Sequence, residues 1–200
     1  MVEASIRSIG IGFLYAPKLH GAMKHAIGPR REIGIRSIFN VLGPLTNPAG
    51  ANVQVLGVYK PELTSLLAEV LQRLGSTSAL VVYGDGSFDE ISIVGPTRVS
   101  ELRNGTIRDY RIEPEDFGMF RASVSDIKGG DAEKNAAIIR EVLDGRPGPR
   151  RDIVLLNAGA TFYAAGKAQD IQEGIQIAAQ SIDSGAANNK LEQLIKHTNS

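Results

Sequence analysis

The sequence has no cysteine, no excess of either charge and no long hydrophobic run. The absence of cysteine excludes thiol nucleophiles, cysteine-based zinc sites and iron–sulfur clusters. Lys and Arg together number 22, as do Asp and Glu, so the charge pattern is not that of a duplex-DNA-binding protein. Since no stretch of about 18 apolar residues occurs and Glu3 and Arg7 interrupt the N-terminal segment, we expect neither a membrane span nor a signal peptide, and a cytoplasmic location.

Two glycine motifs are also missing, although glycine is abundant at 22 of 200 residues. No GxGxxG fingerprint and no GxxxxGK[ST] loop occurs, which argues against dinucleotide binding and against a P-loop NTPase. The glycines stand singly between apolar segments, without a Gly/Ser tract or a repeat. They therefore indicate the turns of a globular fold.

The sequence predicts an α/β fold with a mostly parallel sheet flanked by helices and an antiparallel hairpin excursion. A β-branched strand from Val53 to Tyr59 precedes an amphipathic helix that opens at Pro61 and stops at Gly75. A second apolar strand, Ala79 to Tyr83, then completes a βαβ unit with parallel strands. Continuous apolar strands of this kind are typical of a sheet that is covered on both faces.

Further elements are predicted on both sides of this unit, and all of them are assigned to one domain over residues 1–200. The Asn104-Gly105 dipeptide favours a hairpin turn, because both residues accept positive φ. The other predicted elements are a helix capped by Asp131, a third buried strand at Asp152–Leu156, helices at His20–Ala26, Ile33–Leu42, Asp170–Asp183 and Asn188–His197, and a rigid turn at Leu45–Pro48.

Adjacent carboxylates, Asp89 and Glu90, follow the second strand and so lie near its carboxyl end, where open α/β sheets bind ligands. Carboxylate oxygens suit Mg²⁺, which is commonly shared with a substrate phosphate. A solvated acidic turn is the alternative, and spacing alone favours it.

His20 and Arg30 form a second candidate, because the intervening Gly28-Pro29 can fold one towards the other. The guanidinium of Arg30 would match a carboxylate, whereas the alternative is a pair of surface residues. A third candidate is an anion site at Lys128–Asp131, for which an ordinary helix cap is the better explanation.

Several segments resemble one enzyme family, the anthranilate phosphoribosyltransferases. The most specific is IRSIFNVLGPLTNPAG at residues 35–50, which no generic α/β pattern dictates. The others, in family order, are GFLYAP at 12–17, HGAM at 20–23, Asp89-Glu90, GGDA at 129–132, Asn135-Ala136, LLNA at 155–158 and IDSG at 182–185.

The resemblance implies transfer of the phosphoribosyl group from phosphoribosyl pyrophosphate to the amino group of anthranilate, a step of tryptophan biosynthesis. It implies that Asp89 and Glu90 hold Mg²⁺ on the pyrophosphate, and that Arg30 grips the anthranilate carboxylate. His20 and Pro44 would line the pocket of the aromatic substrate. No acid–base catalyst is implied, because positioning and electrostatic stabilisation account for the chemistry.

Two family features are missing from this sequence, namely the N-terminal helical domain and the glycine-rich phosphate loop. The resemblance thus covers a C-terminal portion, so we expect a partial phosphoribosyltransferase domain with little activity alone. The family homodimer is not expected of such a portion.

Two other functions remain open. A pyrimidine-nucleoside phosphorylase-like enzyme would lack the substrate-side arrangement of His20, Arg30 and Pro44. A non-catalytic nucleic-acid-binding relative would need a basic surface, which the balanced charge does not favour.

Overall fold

The computed structural model describes residues 2–14, 43, 45–47 and 49–199. These residues divide into two compact units. One unit comprises residues 52–188, and the other is formed by residues up to 51 together with residues 189–200.

The larger unit contains a four-stranded sheet in the order β1-β2-β3-β4. Its strands are β1 Val53–Gly57, β2 Ser78–Gly84, β3 Thr97–Arg103 and β4 Thr106–Ile112. β1 and β2 are parallel, whereas β2 pairs with β3 and β3 with β4 in antiparallel fashion. The α/β class, the parallel βαβ unit and the hairpin excursion are confirmed, and among the described strands one pairing of three is parallel.

In the chain, helical segments lie before β1, between β1 and β2, and after β4. They are α1 Val2–Ile9, α2 Leu63–Arg73, α3 Val124–Ile127, α4 Ala132–Leu143, α5 Pro149–Ala164, α6 Ile171–Asp183 and α7 Ala186–Thr198. A 3₁₀ turn, Pro114–Phe117, follows β4. No helix among the described residues is long and apolar enough to cross a membrane.

Local sequence signals account for several of these boundaries. Asp131 and Asp170 cap α4 and α6, each accepting a hydrogen bond of 2.8 Å from the main-chain nitrogen three residues later. Asn104 and Gly105 have φ values of 52° and 73°, as a type I′ hairpin turn requires. The predicted Asp131 cap and the predicted hairpin are therefore confirmed.

The predicted third strand at Asp152–Leu156 is wrong, because these residues lie in the first half of α5. Pro149 begins this helix, where a missing amide costs no hydrogen bond. The buried side chains of Ile153, Leu156 and Ala160 recur at helical spacing. The short apolar run was thus part of a longer helical pattern.

The core lies between one face of the sheet and the packed pair α5 and α6. It includes buried Leu80, Val82, Val99, Ile112, Leu156, Ala160 and Ile175. The opposite face of the sheet receives α2, whose Leu67, Ala68 and Leu71 are buried. Coverage of both faces agrees with the continuous apolar strands.

In the smaller unit, α1 is followed by a turn in which Ser5 Oγ donates to the carbonyl of Ile11 at 2.7 Å. Lys190 Nζ donates to the carbonyl of Ile9 at 2.6 Å. The predicted helices at 20–26 and 33–42 lie outside the described residues.

Candidate functional site

The acidic pair Asp89-Glu90 lies in a tight loop at the carboxyl end of β2. Gly84, the last residue of that strand, exchanges main-chain hydrogen bonds with Phe88 at 2.9 and 3.1 Å. Gly86 and Ser87, at the tip, both have positive φ. The loop therefore reverses the chain within a few residues and returns Asp89 and Glu90 to the edge of the sheet.

Two strand-end glycines allow this loop to approach the sheet closely. A Cβ added to Gly57, at the end of β1, would overlap the main-chain carbonyl of Asp89. A Cβ on Gly84 would lie 2.8 Å from the carbonyl oxygen of Glu90. Neither glycine has a positive φ, so it is space rather than backbone conformation that excludes a larger side chain. The acidic pair is thus held at the carboxyl ends of two parallel strands, where ligands bind in such sheets.

The chain leaving the acidic pair is anchored by Asn157 on α5. Its Oδ1 accepts from the main-chain nitrogen of Ile91 at 2.9 Å, and its Nδ2 donates to the Ile91 carbonyl at 2.8 Å. Nδ2 also donates to the carbonyl of Ile153 at 3.0 Å. Because one amide satisfies both main-chain groups of a buried residue, the position of the adjacent Glu90 is well defined.

The two carboxylates influence each other electrostatically. Partial desolvation raises the pKa of Glu90, and repulsion from the Asp89 carboxylate raises it further. Both side chains are exposed, so a ligand can reach their oxygens. A pair of like charges that destabilise each other is a suitable donor set for a divalent cation, whose charge offsets the repulsion.

The residues therefore fit Mg²⁺ as two oxygen donors of a site that is shared with a substrate. Among the described residues, no group of three or more His, Cys, Asp or Glu side chains could hold a metal ion. Mg²⁺ is commonly bound by one or two carboxylates with substrate phosphates and waters completing its shell, so a pair suffices.

The structure does not test the substrate-side predictions, because His20, Arg30 and Pro44 lie outside the described residues. At Lys128–Asp131, the cap explanation holds: Asp131 accepts from Lys134, and Asn135 bonds both main-chain groups of Gly130 at 2.9 and 3.0 Å.

Sequence reasoning missed the contributions of Gly57 and Asn157. Gly57 interrupts a β-branched strand, a signal that another backbone approaches closely. Asn157 lies within the LLNA segment that resembles the family, but nothing local indicated a contact 66 residues away.

Comparisons with known proteins identify the family to which the chain belongs. A relative from Citrifermentans bemidjiense, an anthranilate phosphoribosyltransferase, is 57% identical over 199 residues, covering 100% of this chain and 56% of its own length. The crystal structure of the Thermus thermophilus enzyme of the same name superimposes with a TM-score of 0.92 at 44% identity, covering 100% of this chain and 59% of that one.

A Saccharomyces cerevisiae enzyme of that name, in complex with phosphoribosyl pyrophosphate and Mg, gives a TM-score of 0.84 at 33% identity, over 92% of this chain and 54% of that one. The chain thus spans little more than half the length of these relatives, and the resemblance to anthranilate phosphoribosyltransferases is confirmed. The model of the glycosyl transferase family, a/b domain, matches residues 1–188. The chain belongs to this glycosyl transferase family.

Proposed function

We propose that this chain provides the metal-binding and aromatic-substrate portion of an anthranilate phosphoribosyltransferase. The observation that carries the proposal is the acidic pair Asp89-Glu90, fixed at the carboxyl edge of the sheet by Gly57, Gly84 and Asn157. In the reaction, a bond forms between the amino nitrogen of anthranilate and the anomeric carbon, while the bond from that carbon to pyrophosphate breaks. The amino nitrogen then loses a proton to solvent, giving N-(5-phosphoribosyl)anthranilate.

Each candidate residue has a positioning role in this proposal. Asp89 and Glu90 would hold Mg²⁺, which when bound stabilises the negative charge that grows on the pyrophosphate. Arg30 would bind the anthranilate carboxylate and direct the weakly nucleophilic amine towards the anomeric carbon. His20 and Pro44 would line the aromatic pocket. The domain assignment, cytoplasmic location and lack of the family homodimer stay predictions.

Binding of Mg²⁺ in the presence of pyrophosphate is the first test of the acidic pair. Isothermal titration should give saturable binding to the wild-type chain, and Asp89→Asn and Glu90→Gln should each weaken it by about tenfold or more. Glu133→Gln is the matched control, because Glu133 is an exposed carboxylate in the first turn of α4. Equal binding by the wild type and both site variants would contradict the assignment.

Turnover provides the second test. With anthranilate, phosphoribosyl pyrophosphate and Mg²⁺, we expect this chain alone to give little or no product, because it lacks the family's glycine-rich phosphate loop. In a full-length relative that carries this segment, Asp89→Ala should raise the Mg²⁺ requirement, whereas Arg30→Ala should mainly raise the KM for anthranilate. Near-normal turnover by this chain alone would contradict its assignment as a portion of the active site.

A further inference from the structure

A polar cavity of about 360 Å³ lies beside the start of α2. Its lining residues come from the segment before α2, from β2 and the following loop, and from the hairpin: Pro61, Tyr83, Asp85, Pro96, Arg98 and Arg111. Two arginines, a tyrosine and one carboxylate give this cavity a net positive lining.

The strand register aligns three of these side chains. Tyr83 on β2 pairs directly with Arg98 on β3, and Arg98 pairs directly with Arg111 on β4. Directly paired residues project from the same face of a sheet with neighbouring Cβ atoms, so Tyr83, Arg98 and Arg111 form one row across these three strands. Like charges in this arrangement destabilise the pair unless an anion lies between them.

Arg98 is held in place mainly by neutral groups of α2. Its Nε donates to Thr64 Oγ1 at 3.1 Å, and its Nη2 donates to Ser65 Oγ at 3.2 Å. The carboxylate of Asp109 lies 4.0 Å from Nη2, at the limit of an ion pair, and accepts hydrogen bonds from Ser65 and Ser100. The guanidinium is therefore preorganised, while its charge is only weakly compensated.

Arg111 is exposed and has no ion-pair partner among the residues that the structure describes. The carboxylate in the cavity, Asp85, is already bonded through Oδ1 to the main-chain nitrogen of Gly86 at 3.0 Å. The lining itself thus holds two guanidinium groups and one carboxylate, and the carboxylate of Asp109 lies beside Arg98 outside this lining.

We propose that this cavity is a phosphate-binding site in which Arg98 and Arg111 grip the anion from adjacent strands. Guanidinium groups match the oxygens of phosphate in charge and geometry, and the hydrogen-bonded Arg98 and the exposed Arg111 can contact one anion from adjacent strands. Tyr83 can add a hydroxyl donor from the same row. The cavity lining does not include Asp89 or Glu90, and the proposal does not depend on the proposed transfer reaction.

The test is phosphate binding by the whole chain without divalent metal, at constant ionic strength. Inorganic phosphate and ribose 5-phosphate serve as probes, in ³¹P NMR and isothermal titration. Wild-type chain should bind at least one of them saturably, and Arg111→Gln should weaken this binding by about tenfold or more. Tighter binding of ribose 5-phosphate would identify an organic phosphate as the preferred ligand, and equal affinities would identify the free anion.

Arg108→Gln is the matched control, because Arg108 is an exposed arginine of the same strand that projects from the opposite face. It should leave phosphate affinity unchanged. Arg111→Gln removes a like charge beside Arg98, so the thermal unfolding temperature of this variant without phosphate should equal or exceed that of the wild type. The same measurement verifies that the variant folds. No saturable binding to the wild-type chain, or equal weakening in both variants, would overturn the proposal.

Discussion

At the scale of single residues, the position of the acidic pair depends on Gly57, which has no side chain. Gly57 has an ordinary backbone conformation, so alanine would fit its φ and ψ but would overlap the carbonyl of Asp89. We expect Gly57→Ala to lower the free energy of unfolding by about 1–3 kcal/mol and to weaken Mg²⁺ binding, since the loop must move.

Gly95→Ala is the control for this substitution. Like Gly57, Gly95 lies close to the acidic loop, and Gly95 is buried. An added Cβ at Gly95, however, would lie 3.5 Å from Asp85 Cβ, which is an ordinary van der Waals contact. Chemical denaturation and metal titration of both variants provide the comparison. An unchanged Gly57→Ala protein would mean that the acidic loop does not need its close contact with β1.

Glu90 should make the stability of the chain depend on pH. Desolvation and the Asp89 charge raise its pKa in the folded state, so the folded chain holds this proton more tightly than the unfolded chain. The folded state consequently loses stability as pH rises from the ordinary glutamate pKa through the raised folded-state pKa. Above that range, Glu90→Gln should raise the thermal unfolding temperature, and below the ordinary glutamate pKa the difference should vanish.

Thermal unfolding across this pH range, without and with Mg²⁺, measures the effect. At neutral pH, Mg²⁺ should raise the unfolding temperature of the wild type. It should leave that of Glu90→Gln largely unchanged, because a neutral amide is a weaker metal ligand than a carboxylate. Wild type that is more stable than Glu90→Gln at neutral pH without metal would contradict the destabilising interaction between the two carboxylates.

At the scale of elements, α5 and α6 pack at a glycine-to-glycine contact. A Cβ on Gly174 would overlap the main chain of Gly159, and a Cβ on Gly159 would lie 2.7 Å from the main-chain nitrogen of Ile175. Alanine inside a helix is normally favoured over glycine by about 1 kcal/mol. Here the backbone overlap should outweigh that gain, because relief requires the two helices to separate.

We therefore expect Gly174→Ala to lower the free energy of unfolding, by about 1–3 kcal/mol after the gain in helix propensity. Urea denaturation followed by circular dichroism measures this change. The same substitution should leave phosphate binding intact, since α5 and α6 pack on the face of the sheet opposite to Arg98, which bonds to α2. A stabilised Gly174→Ala chain would indicate that the helix contact adjusts easily.

The helices and turns show where the sequence predicts local structure and where it does not. Asp131 and Asn104-Gly105 predict their elements correctly, because a cap or a tight turn is determined by neighbouring residues. The run Asp152–Leu156 was misread as a strand, since a short apolar segment fits both periods.

The candidate site likewise has features that local sequence predicts and features that it does not. The placement of Asp89 and Glu90 after a buried strand follows from local sequence and is confirmed. Their anchoring by Gly57 and Asn157 depends on residues that are distant in sequence, which no local pattern can identify.

At the scale of the whole molecule, the larger compact unit has the components of an independent domain. Residues 52–188 contain all four described strands, the helices on both faces of the sheet and the full acidic loop. Sixteen of its buried residues form one cluster, including Leu80, Val82, Leu156 and Ile175. A single core of this kind typically unfolds as one cooperative unit.

We accordingly expect a polypeptide of residues 52–188 to fold alone and to keep both proposed ligand sites, because all the described residues that form them lie within it. Circular dichroism should show one cooperative thermal transition, and adding Mg²⁺ to pyrophosphate should raise its midpoint further in the wild-type fragment but hardly in its Glu90→Gln variant. Phosphate without metal should raise the midpoint in both of these fragments, and Arg111→Gln should abolish that second effect.

A fragment that is folded but responds to neither ligand would locate binding outside these residues, whereas a non-cooperative transition would mean that the core depends on the rest of the chain.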